Sequence, residues 1–296
     1  MLVEKITSRQ NPLVKRFLRV RTMGERQHIF LEGVRLIEDA IQAGAHFESV
    51  AFTSELESNA RGAALLDLLI RNVQCRGALV SKTVMEAIVD TQSPQGIAAL
   101  VSRPYLELND LFKENPDLLV IADELQDPGN LGAIIRTAEA AGASGLITTR
   151  YTVDPFNDKA IRASMGSALR LPITTGAGRL EVASRCRDQG IRIVASRAQG
   201  PRNQSAGDST EQTVSSSAYY EVNLTAPTAL ILGREATGVA ESWQNADEFV
   251  HIPMSDGIES LNVAAAAAIV LYEAARQRGF EFKPRSLLNP DPVRHS

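Results

Sequence analysis

Cysteine is scarce in this chain. Only Cys75 and Cys186 occur, far apart and in no C-x-x-C pair, so a disulfide scaffold, a structural zinc site and thioredoxin-type chemistry all lack support. Both read as reduced core residues. Long apolar runs are missing too: no stretch approaches the roughly 18 residues that a membrane-spanning helix needs, and the first residues lack the pattern of a secretory leader. A cytoplasmic protein is the expectation. Aromatic residues make up only 5% of the chain, and there is no overall excess of positive charge, the formal net charge being −4. A polycation is excluded, and any contact with nucleic acid requires a local basic patch.

Such a patch is present at the start. Residues 1–35 carry Lys5, Arg9, Lys15, Arg16, Arg19, Arg21, Arg26 and Arg35 against only Glu4, Glu25 and Glu32. Charge alone leaves two readings open, a phosphate-facing surface and an ordinary solvated helix face. The remaining composition, with 44% hydrophobic and 22% charged residues over 296 positions, is that of a soluble α/β protein large enough for two domains.

Periodicity places the division near residue 105. "NPLVKRFLRV", "VRLIEDAIQAG" and "ALLDLLIRNV" have helical spacing of apolar residues, and "HIFLEG", "FESVAFT" and "GIAALV" read as short strands. This predicts a small α/β domain over 1–105, followed by a proline-interrupted linker over 106–117. From Leu118 the pattern alternates: strand "LLVIAD", a helix from about Asn130, strand "GLITT", a helix around "NDKAIRASMGSAL", a further helix, then strands "IRIVAS", "TALILG" and "EFVHIP", and a last helix from Ser260 to about Arg278. Alternation of this kind predicts a parallel sheet covered by helices over 118–296. The polar stretch 199–217 reads as a surface loop.

In such sheets, ligands gather at the carboxyl ends of the strands. Three loops there carry candidate chemistry. In "DPGNLGAIIRTAEAAG" a Pro-Gly turn opens a helix that Asn130 can cap. Leu131, Ile134, Ile135 and Ala138 form its buried stripe, and Arg136 leaves from another face between Gly132 and Ala140. Neither a Walker A loop nor G-x-G-x-x-G fits, so nucleoside triphosphate and dinucleotide sites are weakly supported. A guanidinium with small neighbours can hold a phosphate or a developing oxyanion; taken alone, the loop favours a plain surface arginine. The second loop, "LILGREATGV", ends a strand at Gly233 and brings Glu235 two residues later. In the third, "IPMSDGIESLNVAAAAAIVLYEAAR", Ser260 or Asn262 can cap a helix whose alanines permit close packing.

Together these stretches resemble the SpoU/TrmH branch of the SPOUT RNA ribose 2′-O-methyltransferases. The first family motif, Asn-Pro-x-Asn-x-Gly-x-x-x-Arg-Thr-Ala, appears as "DPGNLGAIIRTA", with Asp127 at its first position. The second stands as "LGREATG", Leu232 to Gly238, and the third as "IPM", Ile252 to Met254, followed by "SLNV", Ser260 to Val263. "RASMG", Arg162 to Gly166, matches a further family segment. "TSRQNPLVK", "FLEGVRLIEDA" and "SPQGI" are similar to the family's substrate-binding domain, which is like ribosomal protein L30e. Two departures are Asp256 near the third motif, where glycine is common, and Ala264, where serine is frequent.

The resemblance implies a C-terminal SPOUT domain with a deep trefoil knot, S-adenosylmethionine as cofactor, a homodimer and no metal. It implies cofactor contacts at Leu232, Gly233, Ile252, Met254, Ser260 and Leu261. Glycine would give backbone access, and Ile252 and Leu261 apolar walls for adenine. Methyl transfer to a ribose hydroxyl needs alignment and removal of a weakly acidic proton. A guanidinium stays protonated and is a poor base. Arg136 is therefore assigned to stabilising the 2′-alkoxide and orienting the adjacent phosphate as proton acceptor, with Asn130, Glu235, Ser260 and Asn262 fixing the geometry. Arg9, Lys15, Arg16 and Arg19 are the candidate RNA contacts. Ribosomal RNA is favoured as substrate; a transfer RNA methyltransferase, a non-catalytic RNA-binding relative and a nucleotide-dependent enzyme are the alternatives.

Overall fold

The computed structural model describes residues 2–91, 94–197, 216–233, 243 and 246–281. They gather into two compact units, one built from the described residues up to 104 with 156–170, the other from 105–155 with the described residues of 171–281.

In the first unit β1 (Leu2–Ile6), α1 (Pro12–Met23), β2 (His28–Glu32), α2 (Val34–Gln42), β3 (Phe47–Phe52), a 3-10 turn (Ser54–Ser58), α3 (Ala60–Asn72), β4 (Arg76–Val80), α4 (Lys82–Ile88) and β5 (Ile97–Ser102) follow one another. The sheet has the order β1-β4-β3-β5-β2, with β1, β4 and β3 parallel and β5 antiparallel to both its neighbours. α1 begins where proline and asparagine dictate: Pro12 takes the first position, and the Asn11 side chain accepts from the Leu13 amide at 2.8 Å. Its buried face, Leu13, Val14, Phe17 and Val20, enters the core, where the Phe17 ring meets Phe30 edge-on at 6.4 Å. β1 and β4 are strands that apolar periodicity does not announce, since Glu4 and Lys5 in one and Arg76 and Gly77 in the other dilute the pattern.

The helix expected over 157–169 is broken in two, α7 (Asp158–Ser164) and α8 (Ser167–Arg170), and packs with this first unit. The break has a local cause. Met165 and Gly166 both take left-handed backbone, φ 51° and 82°, and a Cβ at Gly166 would run into the Asp39 carboxylate and the Arg170 guanidinium. Those two groups pair at 3.0 Å, so only glycine fits.

The second unit contains α5 (Leu108–Lys113), β6 (Leu118–Ala122), α6 (Pro128–Ala140), β7 (Gly145–Thr149), β8 (Ile173–Ala177), α9 (Arg179–Asp188), β9 (Arg192–Ser196), β10 (Ser217–Ala218), β11 (Thr228–Leu232), β12 (Glu248–His251) and α10 (Val263–Gln277). Its sheet runs β10-β12-β9-β11-β6-β7-β8, parallel throughout. Every residue of β6, β7 and β11 is buried, which is what a sheet covered on both faces requires. The stretch read as a linker carries α5, and its Leu108, Leu111 and Phe112 join the core with Leu119, Ile121, Ile193 and Trp243. Most of the polar stretch 199–217 lies outside the described residues; its last member, Ser217, begins β10. Cys75 and Cys186 are free thiols, and burial pushes the Cys186 thiol up to about 12, leaving it inert at neutral pH. No helix among the described residues is long and apolar enough to cross a membrane.

Candidate active site

β6 stops at Ala122, and the chain turns through residues 123–127 into α6. Asp127 caps that helix, its carboxylate accepting from the Asn130 amide at 2.7 Å, with Pro128 at the first position. This corrects the assignment of the cap to Asn130. Proline has no amide hydrogen to lose at the first helical position, so the helix starts there and Asn130 falls inside the first turn. Its side chain is thereby available for another contact. Leu131, Ile134, Ile135 and Ala138 are fully buried, as their spacing predicts, and Arg136 stands on the exposed face. Among the described residues the Arg136 side chain has no hydrogen-bond or ion-pair partner.

The third motif reaches the same place from the other end of the domain. α10 begins at Val263, later than the predicted Ser260, because Asn262 is its cap: the amide oxygen accepts from the Ala264 and Ala265 amides at 2.9 and 3.3 Å. The Asn262 Nδ2 atom donates to the Asn130 Oδ1 atom at 3.0 Å. α10 packs against α6, and Ala267 is buried without remainder among the alanines that permit the approach.

Leu232 ends β11 in the core, and its carbonyl accepts from the Asp123 amide at 2.8 Å; Gly233 follows, also buried. Ile252 and Met254 are half-buried after β12. Ser260 is exposed, and Leu261 and Ile258 are exposed apolar side chains on the same loop. A buried backbone turn at Gly233 and unpacked apolar side chains on the third loop suit an adenosine group bound through backbone and apolar contact. Glu235 lies outside the described residues.

Sequence reasoning misses one group here. The Asp123 carboxylate, nearly inaccessible, accepts from Arg179 Nε at 2.8 Å and from Thr149 Oγ1 at 2.8 Å, and Arg179 also pairs with Glu124. The neighbouring carboxylates, Asp123 foremost, raise the Arg179 pKa further. The cluster fixes the turn from which both the first-motif helix and the bond to Leu232 depart. A charged residue closing the apolar run "LLVIAD" is the only sequence signal for it.

A family model described as the SpoU rRNA Methylase family matches residues 117–272. The chain belongs to the SpoU family. A second model, the MRM3-like substrate binding domain, matches residues 4–99. An uncharacterized tRNA/rRNA methyltransferase of Synechocystis sp. is 32% identical over 93% of this chain and 95% of that protein. The 23S rRNA (guanosine(2553)-2'-O)-methyltransferase RlmP of Bacillus subtilis is 28% identical over 91% of this chain and 98% of its own. Among solved structures, an AdoMet-bound rRNA methyltransferase from Sinorhizobium meliloti superposes with a TM-score of 0.76 at 29% identity, covering 93% of this chain and 98% of that one. The expected fold class, a parallel-sheet methyltransferase domain with a smaller N-terminal α/β domain, is the one these SpoU-type structures share.

In the N-terminal unit of this SpoU-family chain the four candidate RNA contacts differ in kind. Lys15 is exposed and Arg9 is exposed with its Nε on the Thr83 carbonyl at 3.2 Å. Arg19 keeps 59% of its side chain exposed, 3.8 Å from Glu25. Arg16 is engaged internally: it binds Glu48 through Nε at 2.6 Å and Glu25 at 3.1 Å, with His28 wedged between the same two carboxylates. Its hydrogen bonds to Glu48 hold the Arg16 pKa above its usual range. A cleft of about 720 Å³ in the same unit is lined in part by Arg35, Thr53, Lys82 and Gln95, and by none of the four.

Proposed function

We propose that this chain is an S-adenosylmethionine-dependent methyltransferase that modifies a ribose 2′-hydroxyl in structured RNA, with ribosomal RNA the favoured class. The observation that carries the reading is the Asn262–Asn130 bond of 3.0 Å, which fastens the third motif to the helix bearing Arg136. The kinship with proteins named rRNA 2'-O-methyltransferases supports the same reaction.

S-adenosylmethionine, when bound, supplies an electrophilic methyl group. Leu232, Gly233, Ile252, Met254, Ser260 and Leu261 would hold it, through backbone groups and apolar walls. With the cofactor held there, the methyl group would pass to the ribose 2′-oxygen and S-adenosylhomocysteine would be the leaving group. Arg136 stabilises the negative charge growing on the 2′-oxygen and orients the adjacent phosphate, which takes the proton. The Asn130–Asn262 bond ties the starts of the two helices together, and Ser260 and Glu235 complete the polar surround.

The RNA is gathered on the N-terminal unit by Arg9, Lys15 and Arg19, phosphate contacts that position without reading sequence. Arg16, already neutralised by two carboxylates, contributes by holding the patch together. The active form is a cytoplasmic homodimer, its catalytic domain closed by a trefoil knot. Exposed Arg136 on α6 and Tyr272 on α10 offer a face for the second copy.

Isothermal titration with S-adenosylmethionine tests the reading against a non-catalytic relative. Micromolar binding is expected, together with a 2′-O-methyl mark that disappears from ribosomal RNA of cells lacking the protein. A chain that binds RNA and not the cofactor contradicts it.

A further inference from the structure

Among the described residues, Tyr151 combines two properties that a folded chain ordinarily avoids. Its backbone lies in the left-handed region at φ 68°, where a bulky L side chain is an outlier. The residue is 82% exposed, so packing of its side chain does little to repay the strained backbone.

The backbone around it is not loose. Thr152 Oγ1 donates to the Ala122 carbonyl at 3.0 Å, the Val153 amide to the Leu125 carbonyl at 2.8 Å, and the Glu124 amide to Thr149 Oγ1 at 3.2 Å. Gln126 Nε2 bridges the carbonyls of Glu124 and Tyr151. The turn after β7 is therefore stapled along its length to the turn that leads into the Asp127 cap and the first motif. Strain held in place by surrounding hydrogen bonds, at the active end of a sheet, points from an outlier to a function.

The surroundings indicate which function. Arg150, the preceding residue, is exposed and its side chain has no partner among the described residues. Its amide bonds the Ala177 carbonyl at 3.3 Å, which brings alongside the turn that opens α9 with Leu180, also 82% exposed. An aromatic face, an unpaired cation and an apolar neighbour are the elements of a single-stranded nucleic-acid platform. β7 is two strands from β11, so the turn that carries Tyr151 starts roughly 10 Å from the Gly233 turn at the ~4.8 Å spacing of a sheet.

We propose that Tyr151 is a stacking platform for an unpaired nucleobase of the substrate RNA beside the target ribose, with Arg150 on the adjoining phosphate. The proposal rests on the RNA methyltransferase reading above and adds to it a place where the base is splayed out of the stack.

Three full-length variants test it, with an unmodified in vitro transcript of large-subunit ribosomal RNA as probe. Tyr151→Gly removes the ring and relaxes the backbone, so its melting temperature is expected at or above the parent's. Its Kd for the transcript is expected to rise about tenfold, with S-adenosylmethionine affinity unchanged. Tyr151→Phe, which keeps the ring, is expected to bind RNA within about twofold of the parent. Arg150→Ala is expected to weaken RNA binding and flatten its salt dependence. A Tyr151→Gly protein that binds the transcript as well as the parent overturns the proposal alone. So does one that loses dimer mass without losing RNA affinity, because the ring then belongs to a protein interface. A parent that binds no transcript overturns the RNA reading and this proposal with it.

Discussion

Asn130 and Asn262 stand 132 residues apart in the chain and share a hydrogen bond of 3.0 Å, each in the first turn or cap of a separate helix. Asn262 uses its oxygen for the helix and its nitrogen for Asn130, so the two duties can be separated by substitution. Asn262→Asp keeps the acceptor, and a carboxylate suits a helix N-terminus, yet it cannot donate to Asn130. The expected result is a melting temperature close to the parent's with methyl transfer reduced about tenfold. Asn262→Ala loses both duties, and urea unfolding should show a stability loss of about 1 kcal/mol beside the lost activity. Equal activity in parent and Asn262→Asp would deny the bond a role.

The Asp123–Arg179 pair gives a stability prediction. Removing the guanidinium leaves a nearly inaccessible carboxylate without its main cation. Because Arg179 itself remains 31% exposed, the cost should fall below that of a fully buried pair, about 2 kcal/mol in Arg179→Ala. Adding Asp123→Asn removes the stranded charge and should recover part of that loss. A double variant no more stable than Arg179→Ala would show that charge burial is not the cause.

How far these relationships could be read from the chain depends on their range. The stripe Leu131, Ile134, Ile135 and Ala138, the exposure of Arg136 and the strands β6, β7 and β11 follow from periodicity, a local property. Cap positions are less legible: "DPGN" contains two good capping side chains, and the choice of Asp127 over Asn130 is made by one proline. β8, with Thr174, Thr175 and Gly176 on an edge, has too little apolar pattern to announce a strand. The engagement of Arg16 is illegible locally, because its partners come from two other segments, Glu25 and His28 around the start of β2 and Glu48 in β3. The left-handed backbone of Tyr151 has no sequence signal at all, since tyrosine is a poor residue for it.

The Arg16 cluster predicts a response to acid. Hydrogen bonds from Arg16 hold the Glu25 and Glu48 carboxyls below their ordinary range. A depressed carboxyl contributes stability that is complete above its unfolded pKa and disappears as pH falls through the folded one. Thermal unfolding between pH 6 and pH 3 should therefore show a steeper loss in the parent than in Arg16→Ala. Its neighbours should separate in a different assay: Lys15→Ala and Arg19→Ala weaken RNA binding and lower its salt slope, with little change in stability. If Arg16→Ala behaves like Lys15→Ala in both assays, the internal role assigned to Arg16 is wrong.

Glu32 predicts the opposite sign. Burial raises its pKa, and one carboxyl oxygen, Oε2, is buried without a hydrogen-bond partner. Such a group favours the folded state when protonated, so its contribution is present at low pH and is lost as pH rises through the raised folded value. Glu32→Gln should raise the melting temperature at pH 8, with the gain shrinking towards pH 4. A gain that is independent of pH would assign the effect to packing.

The central claim concerns one guanidinium and one hydroxyl, and the direct measurement is transfer of labelled methyl from S-adenosylmethionine to unmodified large-subunit ribosomal RNA, scored as alkali-resistant linkages. The parent should produce them. Arg136→Ala should fall by about 100-fold or more in turnover with cofactor affinity retained, and Arg136→Lys should recover only part of it. Near-parental turnover in Arg136→Ala, or label that enters bases and leaves every linkage alkali-labile, would contradict the account.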